Sequence, residues 1–273
     1  MTTSLGAVLT TGLVLIPGVA FAQVTETGFL DRTLTLDGNE YAYQVYVPRD
    51  YEPSDDWPAV LFLHGSGERG DAGLQATQVG LGSAIRFNPE RWPTVAIFPQ
   101  VPSDGDLIWQ DFAGEIAIAA LDATLEEFSI DESRVYLTGL SLGGEGAWYL
   151  GYQYPDRFAA IVPICGYVEG MDGFASFVPE SSTDIYSDVA QRLREIPIWI
   201  FHGDADTVVP VEESRRMAAA LADLGADVQY SELPGVGHNA WDPAYSQEAL
   251  PSWLFAQQKQ SGITKLLERL LDR

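Results

Sequence analysis

The chain has 273 residues, 46% of them hydrophobic and 20% charged, which suits one large globular domain and excludes a disordered chain. Its formal net charge of −24, from 39 acidic and 15 basic residues, argues against nucleic acid or an anionic membrane surface as a partner. The single cysteine, Cys165, excludes an internal disulfide.

Residues 5–22 are almost all apolar or small and end in Ala20-Phe21-Ala22, followed by Gln23. This reads as a secretory signal, so residues 1–22 are set apart and 23–273 are read as one domain of a secreted or periplasmic protein. No membrane association is expected once the signal is removed. Alternation over residues 33–47, with a turn at Asp37-Gly38, predicts a hairpin. Residues 59–63 and 94–98 are continuous apolar runs, the pattern of strands buried on both faces. The first runs into the glycine-rich loop His64-Gly65-Ser66-Gly67-Glu68-Arg69-Gly70. Helical spacing covers 114–128, and a short strand is expected at 134–138. Further strands are read at 159–164, 196–201 and 228–230. Helices are read at 211–224 and 243–257. The tail 259–273 places Leu266, Leu267, Leu270 and Leu271 on one helical side. Strands alternating with helices predict an α/β fold with a mostly parallel sheet, whose ligands gather at the carboxyl ends of the strands.

Between the strand at 134–138 and the helix after it lies G-x-S-x-G, filled by Gly139, Ser141 and Gly143. A serine on so sharp a turn stands clear of the sheet, and the following helix N-terminus offers N–H groups to a developing oxyanion. A serine hydroxyl is a poor nucleophile at neutral pH. It needs an imidazole to take its proton and a carboxylate to orient that imidazole. His238, in Gly237-His238-Asn239, is the candidate base. The candidate acids are Asp204, Asp206 and Asp242. His202 reads as a packed structural histidine, and Glu145 as a charge that complements the helix dipole. No metal-ligand spacing is present, and no cofactor is expected.

On Leu63-His64-Gly65-Ser66-Gly67-Glu68-Arg69-Gly70, Gly139-Leu140-Ser141-Leu142-Gly143-Gly144, His202-Gly203-Asp204-Ala205-Asp206-Thr207-Val208-Val209-Pro210 and Gly237-His238, the chain resembles the α/β-hydrolase superfamily. Within it, the chain looks like secreted esterases related to dienelactone hydrolases, polyhydroxybutyrate depolymerases and feruloyl or acetyl-xylan esterases. The resemblance covers roughly residues 31 to 257. It implies an α/β-hydrolase fold, a mostly parallel twisted sheet flanked by helices, and Asp206 as the acid of a Ser141–His238–Asp206 triad. It also implies backbone oxyanion donors at Leu142 and Ser66, with Gly67 as the alternative to Ser66. Activity is expected to rise with pH as His238 loses its proton. In this fold an insert such as residues 167–190 commonly lies over the site as a small lid. Trp109 and Trp241 are read as substrate contacts, against ordinary core packing. The implied substrate is a small-molecule or polymer-linked carboxylic ester. A serine peptidase and a non-catalytic binding module on the same scaffold are the alternatives. The residues leave the oligomeric state open.

Overall fold

The computed structural model describes residues 25–103, 108–171 and 175–259. Residues 1–22, read as the export signal, and the tail beyond Lys259 lie outside them. Eight strands form one sheet: β1 (Gly28–Leu36), β2 (Asn39–Val47), β3 (Trp57–Leu63), β4 (Val95–Pro99), β5 (Ile130–Leu140), β6 (Ala160–Ile164), β7 (Ile198–Gly203) and β8 (Val228–Leu233). Their spatial order is β1-β2-β4-β3-β5-β6-β7-β8. The β1–β2 hairpin is antiparallel and joins the sheet antiparallel to β4, and every other pairing is parallel. This is the α/β-hydrolase architecture.

Strands β3, β4 and β6 are apolar at every position because both faces are covered. On β3, Ala59, Leu61 and Leu63 face one core and Val60 and Phe62 the other, the period of two that a pleated strand imposes. The first core packs against α2 (Asp111–Glu127), α3 (Leu142–Gln153), α4 (Ile185–Leu193) and α5 (Glu212–Asp223). The second packs against α1 (Gly80–Phe87), α6 (Trp241–Ser246) and α7 (Ala249–Phe255).

Three elements depart from the sequence reading. Helix α1 falls in a stretch to which the sequence reading assigned no element, and glycines at 80 and 82 give it poor intrinsic helicity. Packing holds it: a Cβ at Gly80 would lie 2.7 Å from the Leu140 side chain and 2.9 Å from the Phe62 ring. The single helix expected over 243–257 is two, α6 and α7. Pro251 sits in the first turn of α7, where its missing N–H costs nothing, whereas a continuous helix would drive its ring against the carbonyl of residue 247. The expected lid at 167–190 is corrected in its last part. Asp184 caps α4 by accepting from the N–H groups of Tyr186 and Ser187, and Val189, Ala190 and Leu193 are buried in the first core. Those residues belong to the helical layer between α3 and α5, not to a cover over the strand ends.

At the turn from β5 into α3, backbone approaches backbone too closely for a side chain at the flanking glycines. Ser141 has φ 54°, a left-handed conformation that L-residues adopt only when the surroundings impose it. Its N–H donates to Ile164 O at 2.9 Å, and its carbonyl accepts from Gly144 and Glu145. A Cβ on Gly143 would lie 1.9 Å from Leu63 O, and one on Gly139 would lie 2.0 Å from Gly143 O. Both obstacles are backbone, which cannot swing aside as a side chain can. Gly143→Ala is therefore expected to cost roughly 3 kcal/mol or more. That is a fall in Tm of roughly 6–12 °C, and thermal unfolding that matched the parent would overturn it.

Candidate active site

The C-terminal ends of β3, β5, β7 and β8 carry His64, Ser141, Asp206 and His238 on the loops that follow them. The structure brings the last three together. His238 Nε2 lies 2.9 Å from Ser141 Oγ, and His238 Nδ1 lies 2.7 Å from Asp206 Oδ2. A carboxylate only accepts, so Nδ1 carries the proton and Nε2 is left to accept the Ser141 hydroxyl. The Asp206 side chain is fully buried, while His238 keeps 21% exposure. Burial opposes ionisation of Asp206. The hydrogen bond from His238 and the N–H groups of Val208 and Val209, at 2.8 and 3.0 Å from Oδ1, outweigh it and hold the carboxyl below its usual range.

The other two carboxylates have different work. Asp204 accepts from Gly235 N–H at 2.6 Å and ties the loop after β7 to the loop after β8. Asp242 accepts from the Asn239 side chain at 2.8 Å, and its own N–H donates back to Asn239 Oδ1 at 3.2 Å.

Leu142 is the first residue of α3, where a backbone N–H has no acceptor within the helix. Ser66 opens a 3₁₀ turn, Ser66–Glu68, and is in the same position. The loop carrying Ser66 is pinned from behind by His64, which is completely buried. Its Nδ1 donates to Gly65 O at 2.6 Å, and its Nε2 accepts from Val101 N–H at 3.0 Å. Burial pushes its pKa down to about 4, against the pull of the Gly65 hydrogen bond, so the ring is neutral and its two bonds stay fixed.

Two expectations are overturned here. Trp109 is completely buried, donates from Nε1 to His64 O at 2.9 Å and packs edge-on against the His64 ring. It braces the loop from inside and cannot touch a substrate. Glu145 is not a solvated helix-dipole charge. It is 1% exposed, and burial raises its pKa to about 8 against the hydrogen bond from Gln110 Nε2 at 2.7 Å. Trp241, by contrast, is partly exposed, with its ring edge-on to His238 at 5.5 Å between centroids.

Sequence reading missed the surroundings of Asp206. Oδ2 has a second neighbour, His202 Nε2 at 3.2 Å. The signal was the spacing of four residues between His202 and Asp206 across a strand end. Among the described residues, Cys165, Asp206 and His238 form a group whose ligating atoms lie within 4.8 Å of one another. The Asp206 and His238 atoms already bond each other, and burial keeps the Cys165 thiol protonated, so a metal held there would have to break that bond. No helix among the described residues is long and apolar enough to cross a membrane.

The model of the prolyl oligopeptidase family matches residues 115–259. Lysophospholipase-like protein 1 of Mus musculus is 26% identical over 220 residues, 73% of this chain and 86% of that protein. An uncharacterized secreted protein of Arthroderma benhamiae is 30% identical over 116 residues, 37% of this chain and 12% of that protein. The crystal structure of a thermostable esterase superposes with a TM-score of 0.72 at 32% identity, covering 84% of this chain and 63% of that one. The chain thus spans only part of the length of some of the proteins it resembles.

Proposed function

The chain belongs to the prolyl oligopeptidase family of α/β-hydrolases, and from that premise we propose that it is a serine hydrolase that cleaves carboxylic esters through Ser141, His238 and Asp206. The observation that carries the proposal is the unbroken chain from Ser141 Oγ through His238 to a buried, ionised Asp206. The esterase similar in structure and the lysophospholipase-like relative favour ester over amide substrates.

Ser141 Oγ attacks the ester carbonyl carbon while its proton passes to His238 Nε2. The carbonyl oxygen becomes an oxyanion and accepts from the N–H groups of Leu142 and Ser66. As the C–O bond to the alcohol breaks, His238 Nε2 returns the proton to the leaving oxygen, and the acyl group stays on Ser141. A water then gives a proton to Nε2 as it attacks, and collapse releases the acid and restores the hydroxyl. Asp206 remains ionised throughout and stabilises the imidazolium formed in each half-reaction.

The substrate class is a short-chain, aromatic or polymer-linked ester, with Trp241 as an apolar wall beside His238. Export rests on residues 5–22, and the Arthroderma relative is itself a secreted protein. The test is hydrolysis of acetyl, butyryl and octanoyl p-nitrophenyl esters, methyl ferulate, a soluble polyester oligomer and a peptide anilide. Ester turnover that depends on Ser141, with little on the anilide, is expected. Preference for the anilide would make the protein a peptidase, which the family also contains by name. A protonated His238 cannot accept the Ser141 proton, so kcat/KM rises with pH and then levels. A flat profile over roughly pH 5 to 9 would overturn the assignment of the base.

A further inference from the structure

His202, the penultimate residue of β7, is completely buried, and every polar atom on its ring is engaged. Nδ1 lies 2.7 Å from Ser214 Oγ on α5. Nε2 lies 3.1 Å from Val209 O and 3.2 Å from Asp206 Oδ2. Both neighbours of Nε2 only accept, so Nε2 carries the proton, shared between them. Nδ1 is then the acceptor, and the Ser214 hydroxyl donates to it. A histidine present only for packing would need partners of any kind. This one directs its single N–H between Val209 O and the same carboxylate oxygen that receives His238 Nδ1–H.

Asp206 is thus held on four sides. Oδ1 accepts from Val208 and Val209, which belong to its own loop, and Oδ2 accepts from His238 and His202. Both oxygens turn together about the Cβ–Cγ axis, so the bonds from the loop at Oδ1 and the two histidines at Oδ2 oppose the same rotation from opposite ends of the carboxylate. We propose that His202 is a positioning residue that locks Asp206 Oδ2 toward His238, with Ser214 holding the His202 ring in the tautomer that donates. This inference rests on the Ser141–His238–Asp206 reading above.

The other groups around His202 do not compete for Oδ2. On β8, Glu232 stands opposite His202 in register, but its carboxylate is taken by Arg215 and Tyr230. Just after β6, the Cys165 thiol is kept protonated by burial. On α5, Glu213 is turned to the Val168 and Glu169 N–H groups and the Tyr186 hydroxyl. Burial lowers the pKa of His202 itself, so the ring stays neutral and donates one proton rather than adding a charge.

The test compares kcat, KM and the pH profile of ester hydrolysis for the full chain and its His202→Phe, His202→Gln, Ser214→Ala and Ser141→Ala variants. Phe fills the ring's space without a donor. Its kcat is expected to fall about tenfold or more, the worth of a hydrogen bond to a charged group, with KM nearly unchanged. Its acid limb is expected to move to higher pH, because a carboxylate short of one donor holds the His238 imidazolium more strongly. Gln returns a donor near the Nε2 position and is expected to recover most of the loss. Ser214→Ala frees the tautomer and is expected to cost roughly twofold to tenfold with a smaller shift in the same direction. It also serves as the readout if the Phe variant does not fold. An acid limb unmoved in the folded variants, or a Gln variant as impaired as Phe, overturns the proposal while leaving the triad intact. Ester turnover retained by Ser141→Ala would instead overturn the reading on which it rests.

Discussion

Ser141→Ala keeps the fold and lowers ester turnover roughly 10⁴- to 10⁶-fold. The fold survives because nothing that holds the elbow uses the hydroxyl. The bonds there run from Ser141 N–H to Ile164 O and from Gly144 and Glu145 N–H to Ser141 O. Alanine carries the same Cβ into the same left-handed φ of 54°, so the strain at this position is unchanged. What disappears is the atom that attacks, together with the hydroxyl that His238 Nε2 accepts. The residual rate comes from the oxyanion donors and from binding. His238 and Asp206 act only through Ser141, so a double variant with His238→Ala is expected to fall little further than the single one. Turnover above about 1% of the parent in a folded, purified Ser141→Ala protein would remove Ser141 from the mechanism. A collapse of Tm instead would mean that the hydroxyl supports the fold.

Glu145→Gln separates from the parent protein in stability as the pH rises. Two effects oppose each other at this carboxyl. The first turn of a helix favours a negative charge by about 1 kcal/mol or less when exposed. Complete burial penalises that charge by several times as much, and burial wins, leaving the group with a pKa of about 8 against an ordinary 4.5. Gln110 satisfies Oε1, while Oε2 has no hydrogen-bond partner. Below pH 4.5 folded and unfolded chains both hold the proton. Between 4.5 and about 8 the unfolded chain releases a proton that the folded chain keeps, so stability drains away as pH rises through that window and levels above it. At about 1.4 kcal/mol per pH unit, the full displacement amounts to about 5 kcal/mol. The neutral amide has no such dependence and keeps an acceptor for Gln110. The variant and the parent are expected to unfold at similar temperatures near pH 5 and to diverge by roughly 10 °C or more at pH 9. Parallel Tm curves across that range would show that Glu145 is ionised in the folded protein.

Short-range pattern carried much of the fold. Residues 59–63 and 94–98 could only be strands covered on both sides, and they are the β3 and β4 core. The glycines of the elbow announced a close backbone approach, which the Gly143–Leu63 contact makes concrete. The same local reading could have split the C-terminal helix, because Pro251 was visible and its steric demand is a property of the chain alone. Helix α1 was out of reach. Its glycines argue against a helix, and it exists because Phe62 and Leu140, distant in sequence, leave no room for side chains there.

The candidate site divides along the same line. Composition, the order of Ser141, an aspartate and His238, and the loops after strands followed from the sequence by itself, because nucleophile, acid and base are residue types and strand ends are written in local periodicity. The choice of Asp206 among three aspartates came from the family resemblance. Only the tertiary structure decided which tryptophan meets solvent, since Trp109 and Trp241 differ in what packs over them and not in how they are spelled. It alone decided that Glu145 is a buried acid and that His202 reaches Asp206. Desolvation and hydrogen-bond geometry are set by atoms from β3, β6, α2 and α5 that come together only on folding, and no window of sequence contains them.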